Sequence, residues 1–410
     1  MNSEVQRSVL DNGIRIVTER MPFVRSVSVG VWVRAGAIDE NVSNNGVSHL
    51  LEHMLFKGTK NRTAREIAMS LESLGGGLNG STGKEITLYT AHVLDEHLSV
   101  AVDVLCDLLQ NPLFPKKDLA LEKNVILAEI NHSKEDPEEH LLDNFYKNIF
   151  PDHPLGYFIL GTDATVSRFK KRDLMLYMQE HYHAERIVFA AAGRVEHEQF
   201  VDLVNKYYRF PRRSVPSNGV AALPEQSGGT YRLEMPSLQQ SHICMGVRTF
   251  GSCDERKYAM ILMDVLLGGG MSSRLFQNIR EKYGFAYSVY SFSDFLATSG
   301  VFGTYMACAT DKTEKSVELV REEFEDFKNN PVSTEDLNRV KSQVNGGIIL
   351  GLESSSRRMK KIGETEIFNR PHLTMDKVLE KIDRVTPDDL QQLAHRFFAD
   401  SQLCITILEP

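Results

Sequence analysis

The chain has 410 residues, 42% of them hydrophobic, enough to bury more than one core, so two or three domains are the starting expectation. Its 47 basic and 55 acidic residues leave a net charge of −8, which argues against a nucleic-acid partner and suits basic peptides. No apolar run approaches the roughly 18 to 20 residues that span a bilayer, so no membrane association is expected. Neither a secretory apolar core nor an Arg-rich transit segment is visible at the start, and the scattered Cys106, Cys244, Cys253, Cys308 and Cys404 read as reduced core residues of a cytoplasmic protein.

In chain order, residues 1–40 read as strands: 13–18 alternates, and 27–33 is apolar enough for a central strand. Then comes His49-Leu50-Leu51-Glu52-His53, with Asn44 or Asn45 as a helix cap, Gly58 as a stop, and Leu50, Leu51, Met54 and Leu55 gripping a core. His49 and His53 lie four apart on one helix face, the geometry two imidazoles need to bind one Zn²⁺. Glu52 stands beside the second ligand, free to take a proton from a metal-bound water. Taken alone, the pair is also compatible with two half-buried surface histidines.

Thr63 and Glu66 form a capping-box signature for a further helix, which ends in Gly75-Gly76-Gly77. Residues 78–90 extend as a strand whose glycines suit a sheet edge. A helix over 96–110, the breakers Pro112 and Pro115, and a helix over 117–130 follow. On that helix Glu122, Ile126 and Glu129 share one stripe, making Glu129 the best third metal ligand and Glu122 a supporting carboxylate behind the ligands. Either glutamate alone could equally be solvated. The acidic run at 134–139 reads as a solvated helix start, 186–193 as a strand, and 213–230 as a linker between domains at 1–212 and 231–410.

The second half repeats the first in weaker form. Gly36-Ala37-Ile38-Asp39-Glu40 recurs as Gly251-Ser252-Cys253-Asp254-Glu255, Leu74-Gly75-Gly76-Gly77 as Leu267-Gly268-Gly269-Gly270, and Asn111-Pro112 as Asn330-Pro331. Aligning Lys117-Asp118-Leu119 with Glu335-Asp336-Leu337 puts Gly347 where Glu129 stands, and no His-x-x-Glu-His occurs after residue 230. The expectation is a duplication in which only the first domain carries the metal.

His49, Glu52, His53 and Glu129, together with the glycine-rich stretches and His153-Pro154-Leu155-Gly156, resemble the inverted-motif zinc peptidases of the pitrilysin family. The most similar branch is that of mitochondrial processing peptidase β-subunits and their bacterial relatives. The resemblance implies an α+β fold of two homologous αβ domains, each a mostly antiparallel sheet backed by helices, arranged as a clamshell. It implies one zinc per chain, a dimer (here a homodimer), and a peptide substrate added as an extra strand along Asn79, Gly80, Ser81 and Thr82. It also implies that Arg280 anchors substrate carbonyls and that Tyr287 stabilises the oxyanion. The expected function is that of a zinc endopeptidase of extended peptides with Glu52 as general base. The alternative is a non-catalytic assembly subunit or peptide-binding module of the same fold.

Overall fold

A computed structural model describes residues 5–209, 222–226 and 228–410. Most of the 213–230 linker lies outside the described residues. Two compact units are present, one built from residues 5–131, 157–209 and 350–373, the other from His132–Gly156, Ala222–Ile349 and Thr374–Pro410. The units therefore do not follow the contiguous 1–212 and 231–410 division expected from the sequence.

The first unit contains β1 (Val5–Val9), β2 (Arg15–Arg20), β3 (Ser26–Val33), β4 (Gly77–Thr82), β5 (Thr87–Leu94) and β6 (Ile187–Gly193), in the order β1-β2-β6-β3-β5-β4. The second contains β7 (Gly229–Glu234), β8 (Ser241–Phe250), β9 (Ala286–Phe295), β10 (Ser299–Cys308) and β11 (Cys404–Glu409), in the order β7-β11-β8-β10-β9. Setting β1 aside, both sheets place their strands in the chain order first, fifth, second, fourth, third. In each, the only parallel pair among the described residues joins the first strand to the fifth: β2 with β6, and β7 with β11. Two mostly antiparallel sheets with identical threading are what a duplication produces.

The 78–90 segment is not one strand. Gly83 donates its N–H to the carbonyl of Ile86, closing a turn that makes β4 and β5 a hairpin. The helices of the first half include α1 (Val47–Leu55), α2 (Ala64–Glu72, with the Thr63–Glu66 capping box), α3 (Leu98–Gln110), α4 (Lys116–Glu135) and α5 (Pro137–Ile149). Asp136 caps α5 by accepting from the N–H groups of Glu138 and Glu139, so the acidic run is a helix start as expected. Four cysteines are buried, but Cys253 is exposed, because its place in the 251–254 turn leaves it outside the core.

The discontinuity of the units has a packing cause. Both faces of the first sheet are apolar: Val27, Val29, Val31 and Val33 face one core, while Val17, Trp32, Val188, Ala190 and Ala192 face another. A helix from the second half, Ser355–Ile367, covers that second face with Met359, Ile362 and Ile367. Trp32 fits only because Gly363 has no side chain; a Cβ there would come within 2.3 Å of the indole. Conversely, α5 comes from the first half and belongs to the second unit, where it lies against β8 and β11.

Ionic contacts lock the Ser355–Ile367 helix onto the first sheet. Glu366, 2% exposed, accepts from Arg7 Nε and Nη2 at 2.6 and 2.7 Å and lies 2.9 Å from His372 Nε2. Burial alone would raise its pKa; the bonds from His372 and Arg7 and the charges of Arg7 and Arg15 outweigh that and hold it at about 2. Because the folded value lies below the roughly 4.3 of an unfolded glutamate, this stabilisation is complete above about pH 4.3 and is lost as pH falls towards 2. Arg7 is 55% exposed, so solvent screening cuts the roughly 3 kcal/mol implied by the shift to about 2. Urea unfolding should show Glu366→Gln less stable than the parent by about 2 kcal/mol at pH 7, with the gap closing between about pH 4.3 and 2.

Candidate metal centre

The helix α1 is set down firmly. Val47, Leu50, Leu51, Met54 and Leu55 are buried in the first core. Neither Asn44 nor Asn45 caps it, contrary to expectation. Gly46 occupies the N-cap with φ 92°, a left-handed conformation that glycine adopts freely, and a Cβ there would sit 2.7 Å from Gly161 Cα. The open N–H groups are taken by the buried carboxylate of Glu40, whose Oε2 accepts from Gly46 N and Oε1 from Ser48 N, each at 2.8 Å.

On this helix His49 and His53 stack edge to face, with ring centroids 4.6 Å apart. From α4, Glu129 brings Oε2 to 3.8 Å from Nε2 of both rings. One donor atom from each of the three lies within 4.8 Å of the others. Tetrahedral zinc with bonds of about 2.0–2.1 Å places its donors roughly 3.3 Å apart, so modest side-chain rotation converts this cluster into a ligand set.

The protonation states also fit a metal. Burial, and then the charge of His53, lower the pKa of His49 to about 4, so its ring is neutral near pH 7. His49 Nδ1 is buried without a hydrogen-bond partner among the described residues, while Nε2 faces Glu129. His53 Nδ1 lies 3.1 Å from Glu122 Oε2, an arrangement that assigns the proton to Nδ1 and leaves the Nε2 lone pair for an ion. Glu122 is 7% exposed and is itself held by Lys57 Nζ at 2.7 Å from Oε1. Two imidazole nitrogens and a carboxylate oxygen as donors match the chemistry of zinc.

Glu52 stands apart from the donor cluster. It is 9% exposed, and Oε2 accepts from Thr82 Oγ1 at 2.8 Å. Burial raises its pKa; the Thr82 hydrogen bond and the charge of His53 oppose this, and Glu129 adds to it. A carboxylate tuned upward in this way is suited to taking and returning a proton near neutral pH.

The four strand residues Asn79, Gly80, Ser81 and Thr82 lie on β4, at the edge of the sheet, paired among the described residues only with β5. Asn79 and Ser81 are exposed; Gly80 and Thr82 point the other way, towards Glu52. Arg280 and Tyr287 belong to the second unit. The Arg280 guanidinium lies 5.1 Å from the ring centre of Tyr287, which is 79% exposed at the start of β9. Arg280 makes no ion pair among the described residues.

Sequence reasoning missed three contributors. Lys57 is four residues beyond His53 on the same helical repeat, and that spacing was available as a signal. Glu40 and the Thr82 hydroxyl act across turns and strands, and no local pattern marks them. Glu122→Ala should weaken zinc affinity about 10- to 100-fold by freeing the His53 ring, which competition with a chromophoric chelator would measure.

Comparison with known proteins identifies the family. A family model described as Insulinase (Peptidase family M16) matches residues 15–163, and one described as Peptidase M16 inactive domain matches residues 168–344. An uncharacterized zinc protease of Mycobacterium leprae is 38% identical over 96% of this chain and 89% of its own length. Another, from Bacillus subtilis, is 36% identical over 97% and 96% respectively. Among solved structures, a protease from Helicobacter pylori superposes with a TM-score of 0.91 at 20% identity, covering 100% of both chains. A peptidase M16 inactive domain structure from Pseudomonas fluorescens gives 0.92 at 20% identity, covering 99% of this chain and 98% of that one. With relatives this similar along nearly its whole length, the chain belongs to peptidase family M16, the pitrilysin-type zinc proteases.

Proposed function

We propose that this chain is a zinc-dependent, processing-peptidase-like endopeptidase that cleaves extended or unfolded peptides, with one zinc held by His49, His53 and Glu129. The observation that carries the reading is the convergence of those three donors beside a carboxylate that is not among them. A bound zinc would supply a water of lowered pKa and a Lewis acid for the peptide carbonyl.

The chain's own residues supply the rest. Glu52 takes the proton of the attacking water on Oε1, since Oε2 is engaged by Thr82, and returns it to the leaving amine nitrogen. The free edge of β4 offers backbone N–H and C=O groups to an extended peptide, a mode that recognises backbone more than side chains. Arg280 and Tyr287 take the carbonyl-anchoring and oxyanion roles that the family resemblance assigns them. The reading also includes a homodimer in the cytoplasm, supported by the same resemblance. The inactive-domain match at residues 168–344 agrees with a single metal site in the first half.

Glu52→Gln should retain zinc and lose peptide hydrolysis by a factor of about 10² to 10⁴, whereas His49→Ala and Glu129→Gln should lose the metal. Metal analysis and turnover of a quenched fluorescent peptide, measured on the same preparations, decide it. Undiminished turnover by Glu52→Gln would reject the assignment, and a zinc content well below one per two chains in the parent would favour a non-catalytic subunit.

A further inference from the structure

We propose that Thr82 is a positioning residue for the general base: the edge strand β4 holds the Glu52 carboxyl in its working orientation through the Thr82 hydroxyl, with Gly80 leaving the space it needs. The kinetic part rests on the peptidase reading above; the structural part does not.

The geometry is specific. Among the described residues, Thr82 Oγ1 is the only hydrogen-bond partner of the Glu52 carboxyl, at 2.8 Å. Two residues earlier and on the same face of the strand, Gly80 lies flat against that carboxyl. A Cβ at position 80 would come within 2.6 Å of Oε1, 2.9 Å of Cγ and 3.0 Å of Cδ. One strand thus fixes one carboxylate oxygen with a hydroxyl and bounds the other with bare backbone.

That fixation matters because the last torsion of a glutamate is broad and roughly two-fold, so packing alone does not set the plane of the carboxyl. Without the hydroxyl, a buried carboxylate beside two imidazoles and Glu129 would be free to turn towards the metal ligands. The Thr82 side chain is thereby accounted for within the fold. Its neighbours Asn79 and Ser81 are the β4 side chains left exposed on the opposite face.

The strand has a second consequence for catalysis. Among the described residues only β5 pairs with β4, and Thr82↔Thr87 is the pair next to the turn closed by Gly83 and Ile86, so the Glu52 contact is made from a strand whose other side is open. A peptide that added itself to the free edge of β4 would bond to the strand that carries Thr82 and so bear, through its hydroxyl, on the base. Binding of the substrate backbone and orientation of Glu52 are then coupled, and the effect belongs in kcat more than in KM.

The test compares zinc-loaded parent, Thr82→Val and Thr82→Ser in crystal structures and in peptide kinetics. Thr82→Val is expected to keep its zinc, turn the Glu52 carboxyl away from its parental position, and lower kcat about 10- to 100-fold with KM within about twofold. Thr82→Ser should restore both the orientation and most of kcat. Gly80→Ala should displace the carboxyl with the hydroxyl intact, a second route to the same result. A Thr82→Val structure with Glu52 unmoved, or a loss confined to KM, would overturn the proposal. If the parent itself cleaves no peptide, the peptidase reading fails, and the position of Glu52 in the variant structures still decides the role of Thr82.

Discussion

The constraint on which the site depends is the docking of α1 against α4 at a fixed rotation. Four-residue spacing stacks His49 above His53, but a metal requires a third donor from elsewhere, and Glu129 is two turns along α4 from Glu122. Glu122 therefore has two functions. It accepts from His53, choosing the tautomer, and through Lys57 it ties the end of the histidine helix to α4. At the other end of α1, Glu40 takes the free N–H groups. The histidine helix is thus held by a carboxyl group at each end and by apolar packing along its length.

Burial of that pair of helices sets the electrostatics. Low exposure keeps the His49 ring neutral and raises the Glu52 carboxyl, so one imidazole is kept ready to donate a lone pair and the neighbouring acid to move a proton. Two environments within one short helix push a ligand and a base towards their separate tasks. The second sheet shares the strand order of the first, while the helix Thr334–Gly351 has Gly347 at the position aligned with Glu129 and no His-x-x-Glu-His follows residue 230, so the threading is repeated and the three candidate ligands are not.

Much of this was legible in the sequence because it is written in short periods. Alternation and apolar runs placed β2, β3 and β6, the Thr63–Glu66 box started α2, and the 3.6-residue stripe on α4 put Glu122 and Glu129 on one side. What was not legible is set by distance along the chain. The Ser355–Ile367 helix is rich in Arg and Lys and reads as a surface helix; nothing local says that Met359 and Ile362 will meet Trp32, or that Glu366 will meet Arg7. The same applies to Glu40 replacing an asparagine cap and to Thr82, 30 residues from Glu52, turning inward. The turn at 83–86 was hidden because β-forming residues continue on either side of it.

The central claim is that two imidazoles from α1 and one carboxylate from α4 bind one divalent ion. X-ray absorption at the zinc edge, on the full chain reconstituted with one equivalent of zinc, tests it most directly. The account predicts two imidazole nitrogens and the remaining ligands oxygen, all at about 2.0–2.1 Å, with no sulfur. Sulfur at about 2.3 Å, which would implicate a cysteine such as the exposed Cys253, or fewer than two imidazoles, would contradict it.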